Sequence, residues 1–139
     1  MIQRVQTLWL LAASLCAFLT LKFSFYSGNK IVNNNQKLFT YLTATENIFI
    51  LILSVAVAIA ALVIVFLYKD RKMQIRLTLA NAALSLLIIF LYFGETKKFV
   101  EGNYDFTAFF PFLVPVFLFL AARGIYKDQK LIKSVDRLR

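Results

Sequence analysis

From Ile48 to Tyr68 the chain runs for 21 residues with Ser54 as its only polar interruption. After a short charged stretch, Lys69 to Arg76, a second oily run extends from Leu77 to Gly94. Two more long apolar stretches lie toward the ends, Val5 to Tyr26 and Phe106 to Ala122. A helix of about 20 apolar residues crosses a hydrocarbon layer roughly 30 Å thick. The pattern therefore predicts an all-α integral membrane four-helix bundle, up-down-up-down. The spans are placed at about 5–26, 47–68, 75–93 and 106–125, with a basic amphipathic tail over 126–139. The second span is the most strongly marked. Ile48 to Leu67 holds 15 residues of Leu, Ile, Phe or Val, at roughly −0.3 to −0.6 kcal/mol each on an insertion scale.

Local signals fill in the rest. The first span resembles a secretory signal, but its basic start is thin and no small-x-small cleavage pattern follows, so it is expected to remain as a span. In Ala13-Ser14-Leu15-Cys16 the bulky Leu15 stands where a lipoprotein cleavage box needs a small residue. Lys22 lies about 25 Å along the helix from Val5, near an interface its ammonium can reach. Ser27 to Thr45 reads as a polar loop, with Gly28-Asn29-Lys30 and Asn33-Asn34-Asn35-Gln36 prone to turns. Thr43-Ala-Thr-Glu46 has the form of a capping box for the second span. Gly94 to Asp105 reads as a second loop. Pro111 falls near the first turn of the fourth span and Pro115 inside it, where a kink is expected.

The short hairpin forces the second and third spans to run antiparallel side by side. On the second, Ser54, Ala58 and Ala61 share one face; on the third, Asn81 and Ser85 share a stripe. Counted back from the turn the two sets come level. Small residues let helices approach in lipid, and an amide or hydroxyl against them contributes about 0.6–2 kcal/mol. The bland reading of Asn81 and Ser85 is helix contact. The sharper one is the lining of a path through the membrane, together with the proline kink.

Charge then orients the bundle. The 139 residues carry a net charge of +9, which in a soluble protein would suggest nucleic acid. Here the cations are gathered at span ends, and no nucleic-acid partner is expected. Arg4, Lys69, Arg71, Lys72, Arg76, Arg123, Lys127, Lys130, Lys133, Arg137 and Arg139 lie on one side. Lys30, Lys37, Lys97 and Lys98 lie on the other, with Lys22 at the border. That is 11 against 5, so both termini are expected in the cytoplasm. All six tyrosines fall at span ends, where an amphipathic ring prefers the headgroup level.

Chemistry is sparse. Histidine is absent and Cys16 is the only cysteine, which removes an internal disulfide and a multi-cysteine metal site. No proposed span holds an Asp or Glu in its interior, and no serine has a base within reach. No cofactor and no catalytic or metal-binding residue is expected. The residues that stand out are the packing set Ser54, Ala58, Ala61, Asn81 and Ser85, and the cationic set Lys69, Arg71, Lys72, Arg76, Lys127, Lys130, Lys133, Arg137 and Arg139. Leu131, Val135 and Leu138 recur at helical spacing among the latter. Their pattern suits anionic lipid headgroups, or a cytoplasmic protein partner.

Three pieces carry a family resemblance: Met1-Ile2-Gln3-Arg4-Val5-Gln6-Thr7, the hairpin Tyr68 to Arg76, and the tail Arg123-Gly124-Ile125 through Arg139. The chain resembles a domain-of-unknown-function family of small four-span inner-membrane proteins from Bacteroidetes-type bacteria. Tyr126, Gln129 and Lys133 depart from the Arg, Glu and Arg expected there. The resemblance implies an inner-membrane location and four helices, and no activity. The reading is a non-enzymatic accessory or scaffold subunit of a membrane complex; the alternative is a small transporter or channel, possibly homo-oligomeric.

Overall fold

The computed structural model describes residues 2–32 and 36–137. Four long helices, α1 (Ile2–Lys22), α2 (Ile48–Phe66), α3 (Arg71–Thr96) and α4 (Phe109–Asp136), carry most of the chain. Each is long and apolar enough to cross a membrane. They follow one another around a ring, α1 against α2 and α4, α3 against α2 and α4. The bundle has a basic end, where residues 67–70 join α2 to α3, and an opposite end at which α1 stops and α2 begins.

That opposite end corrects an all-α reading. The stretches read as polar loops form a three-stranded antiparallel sheet, β1 (Tyr26–Val32), β2 (Gln36–Leu42) and β3 (Phe99–Tyr104), in the order β2-β1-β3. Tyr26 pairs with Leu42 on one side and with Tyr104 on the other. The residues between β1 and β2, 33–35, lie outside the described residues. The strands carry little alternation to betray them, because most of β2 and β3 is exposed on both faces. Gly28 and Gly102 face each other across the β1–β3 ladder. A Cβ on Gly28 would overlap the Glu101 carbonyl, and one on Gly102 would come within 2.6 Å of the Tyr26 ring. The two backbones approach because neither residue has a side chain, and Tyr26 covers the gap.

The sheet is fastened to the bundle by Phe25. It is 1 % exposed and stacks on Tyr92 of α3 with ring centroids 4.5 Å apart. Its amide donates to the Leu42 carbonyl at 2.7 Å, and its carbonyl accepts from the Asp105 amide at 3.2 Å. The Asp105 carboxylate takes the Ser27 hydroxyl at 2.6 Å and the Ser24 hydroxyl as well. Both strand connections thus converge on one carboxylate, where charge-assisted hydrogen bonds are the stronger kind.

Helix starts follow local chemistry. The capping box at Thr43 does not form: the Thr43 hydroxyl pairs with that of Thr45 at 2.6 Å, and residues 44–46 make a single 3₁₀ turn. The cap of α2 is Asn47, whose Oδ1 accepts from the Phe49 amide at 2.9 Å. Its own amide donates to Glu95 at 2.8 Å. An Asn directly ahead of the apolar run satisfies the helix at shorter range than a threonine four residues back. Asp70 caps α3 through the Met73 amide at 3.2 Å. Pro111 sits in the first turn of α4 and Pro115 inside it, and the helix continues past both to Asp136.

The polarity of the bundle runs opposite to that of a water-soluble one. Leu8, Leu15, Phe49, Ile52, Ile59, Phe66, Phe90 and Phe119 point outward and are at least half exposed. Gln6, Ser14, Thr20, Ser54, Gln74, Thr78, Asn81 and Ser85 are buried. Between the inward polar groups lies a core of small and branched residues, among them Leu10, Ala13, Val57, Ala58, Ala61, Ala82, Leu118 and Ala121.

Candidate functional site

Two groups of residues stand out: the inward polar layer and the basic end. In the layer, the small face of α2 serves two neighbours. Ser14 of α1 donates its hydroxyl to the Ala58 carbonyl at 3.0 Å. Asn81 of α3 donates its amide to the Val57 carbonyl at 3.1 Å. Ser54, Ala58 and Ala61 are all buried at these contacts, and the close approach gives each polar side chain a backbone oxygen that α2 already shares with its own ladder. Ser85 behaves otherwise. It donates to Ala82 of its own helix at 2.7 Å rather than across to α2, because a serine hydroxyl reaches back to a carbonyl of the preceding turn more easily than across an interface.

Asn81 and Ser85 also part company in what they face. Asn81 borders an outward groove of about 390 Å³ between α2 and α3, walled by Ala56, Ala60, Val63 and Leu84. Ser85 faces the bundle interior with Thr20, Ser54 and Pro111. The two residues therefore line no common path.

At the basic end, Lys69, Lys72, Arg76, Lys127, Lys130, Lys133 and Arg137 are exposed, while Arg71 is partly buried. Arg139 lies outside the described residues. Arg71 pairs with Asp128 of α4, an ion pair that ties the start of α3 to the far part of α4. Asp128 stands 57 residues from Arg71, so no sequence spacing announces the pair. The last buried residue of α4 is Ile125. From Tyr126 to Asp136 the helix runs on for about 16 Å at 1.5 Å per residue, with Leu131, Ile132 and Val135 exposed. Lys130, Lys133, Ser134 and Arg137 fall on one stripe and enclose a shallow basic cleft of about 250 Å³.

Two further contacts complete the basic end. Gln74 donates to the Ile64 carbonyl at 3.1 Å, holding the hairpin closed from within. Gly124 lets α4 approach α1: a Cβ there would come within 2.9 Å of the Gln6 side chain. Gln6, Ser14 and Gln74 carry structural roles that sequence inspection passes over. Their one signal is a polar residue in an apolar run, and it does not say which neighbour answers.

The carboxylates sit at helix ends, on strands or in connections. Glu95 pairs with Lys98 at 2.8 Å, Glu101 with Lys37 at 3.3 Å across the sheet, and Asp105 with its two serines. Among the described residues no group of three or more His, Cys, Asp or Glu is placed to hold a metal ion.

No curated protein and no solved structure matches the chain. A family model does match, over residues 2–138, which takes in all four helices, the sheet and the basic extension of α4. The chain therefore belongs to the family described as a domain of unknown function, DUF4293.

Proposed function

We propose that this protein is an integral component of the bacterial inner membrane, with both termini cytoplasmic, and that it serves as a non-enzymatic accessory or scaffold subunit of a larger membrane assembly. The membrane placement is supported by the inverted polarity of the bundle: large apolar side chains outward, hydroxyls and amides inward. Lipid is the solvent in which that arrangement is favourable. The orientation rests on the excess of Lys and Arg at the basic end.

The observation that carries the scaffold reading is the free extension of α4. A membrane span needs no further 11 residues of helix, yet α4 projects from Tyr126 to Asp136 with both its cations and its Leu131, Ile132 and Val135 uncovered. The Arg71–Asp128 pair braces its base. A braced helix with an apolar stripe beside a cationic one suits a cytoplasmic partner with an apolar groove and acidic rim. Lys69, Lys72 and Arg76 of the hairpin lie at the same end and meet anionic lipid headgroups.

The test is extraction in a gentle detergent followed by stoichiometric analysis of what co-purifies. A defined hetero-complex is expected, and truncation after Tyr126 should release the partner while leaving the four spans inserted. Recovery of a lone, stable monomer under the same conditions would overturn the reading.

A further inference from the structure

At the heart of the bundle all four helices contribute to one small cavity, every wall residue of which is buried. Its polar wall groups are Thr20 of α1, Ser54 of α2 and Ser85 of α3, and Pro111 of α4 lies beside them. Traced by a water-sized sphere, the cavity measures about 10 Å³. That is close to the room one water molecule needs, and a buried water needs two to four polar partners.

The hydrogen-bond inventory says what such an occupant must offer. Thr20 has given its only proton to the Ala17 carbonyl at 2.7 Å. Ser85 has given its own to the Ala82 carbonyl, also at 2.7 Å. Both hydroxyl oxygens keep lone pairs and can only accept. Ser54 is the opposite case: it is 2 % exposed and its hydroxyl has no partner, so its proton is unspent. Pro111 supplies a fourth group. In a regular α-helix its carbonyl would accept from the amide four residues on, and Pro115 has no amide hydrogen. The site thus presents one free donor and three acceptors on four different helices.

We propose that a single resident water molecule occupies this cavity and bridges the four helices. It accepts from the Ser54 hydroxyl and donates its two protons to two of the three acceptors, Thr20 Oγ1, Ser85 Oγ and the Pro111 carbonyl. Three hydrogen bonds is the usual complement of a buried water. A water fits where a cation does not. The polar groups of the wall are neutral, and a bare charge deep inside a bundle needs a counter-charge or a full shell of oxygen ligands. The bridge also gives the unpartnered Ser54 hydroxyl and the proline-freed carbonyl an occupant able to satisfy both. It makes Ser54, rather than Asn81, the polar centre of the fold.

Two measurements on the full chain in lipid nanodiscs test this. The first is a density map that resolves ordered water. One peak is expected about 2.7–3.2 Å from Ser54 Oγ, and an empty cavity would overturn the proposal. It needs no variant, so it stands even where a substitution impairs assembly. The second is a thermal-stability cycle over Ser54→Ala, Ser85→Ala and the double variant. With the water present, each single change lowers Tm by about 3–6 °C, and the double change lowers it by clearly less than their sum, because both remove ligands of one shared molecule. In a dry cavity Ser54→Ala would delete an unsatisfied hydroxyl and leave Tm unchanged or raised, which would refute the bridge. A Tm that climbs with sodium chloride but not with choline chloride would assign the site to a cation instead and equally overturn it.

Discussion

Replacing Phe25 by alanine tests the claim that one aromatic side chain couples the sheet to the helices. Phe25 is 1 % exposed. Besides stacking on Tyr92 at 4.5 Å, it lies edge-on to Phe93 at 6.0 Å and Tyr104 at 5.9 Å, and tilted against Phe112 at 6.0 Å. Removing the ring leaves a void. If about 80 Å³ of it fails to collapse, the cost is ~2 kcal/mol at about 24 cal/mol per Å³. Loss of the stacked and edge-on pairs adds about 0.5–1.5 kcal/mol each, less whatever the neighbours recover. A sum near 3 kcal/mol corresponds to roughly a hundredfold change in a local opening equilibrium, at 1.4 kcal/mol per factor of ten.

The assay is amide hydrogen exchange in bicelles. Exchange in β1, β2 and β3 is expected to quicken about a hundredfold, while the middle of α1 to α4 keeps its protection, because the sheet opens as its own unit. Phe106→Ala serves as the control: that ring is 95 % exposed and its loss should leave the strands unchanged. Equal acceleration in helices and strands, or less than a fivefold effect in the strands, would refute the reasoning.

Two other predictions concern the ends of the bundle. Gly102→Ala drives a methyl group to 2.6 Å from the Tyr26 ring and 2.5 Å from the Ser27 carbonyl; β3 should detach from β1, read as loss of exchange protection in both strands with α2 and α3 unaffected. Arg71→Ala and Asp128→Ala should each lower thermal stability, and a double-mutant cycle should return a coupling of about 1 kcal/mol that shrinks as salt is raised, since the pair is only partly shielded from solvent.

The location and number of the helices were legible because hydropathy is additive along the chain. Ile48 to Phe66 needs no partner to prefer a helix in lipid. Charges at Lys69 to Arg76 mark a segment that hydrocarbon will not take, whatever the spans do next to it. The packing face of α2 was legible too: Ala58 and Ala61 are small wherever they point, and the short hairpin leaves α3 nowhere else to go. The direction of individual hydrogen bonds was not. Asn81 reaches α2, while Ser85 turns back on α3, a choice made by a difference of one carbon in side-chain reach.

The remaining features depend on residues far apart in the chain. The sheet pairs segments separated by more than 60 residues, each unremarkable alone: Tyr-Ser-Gly-Asn-Lys has more turn formers than strand formers. It exists because α1, α3 and α4 deliver Phe25, Phe99 and Asp105 to one place, where Gly28 and Gly102 can lie back to back. Likewise Arg71 meets Asp128, and Thr20, Ser54, Ser85 and Pro111 share a cavity, only once four helices close into a ring. Sequence by itself determined which segments are helical and apolar and where their charges gather, since those are sums over neighbouring residues. Tertiary structure alone decided the sheet, the carboxylate that ties it down and the polar centre of the bundle, because each is a coincidence in space of groups that local propensity treats as independent.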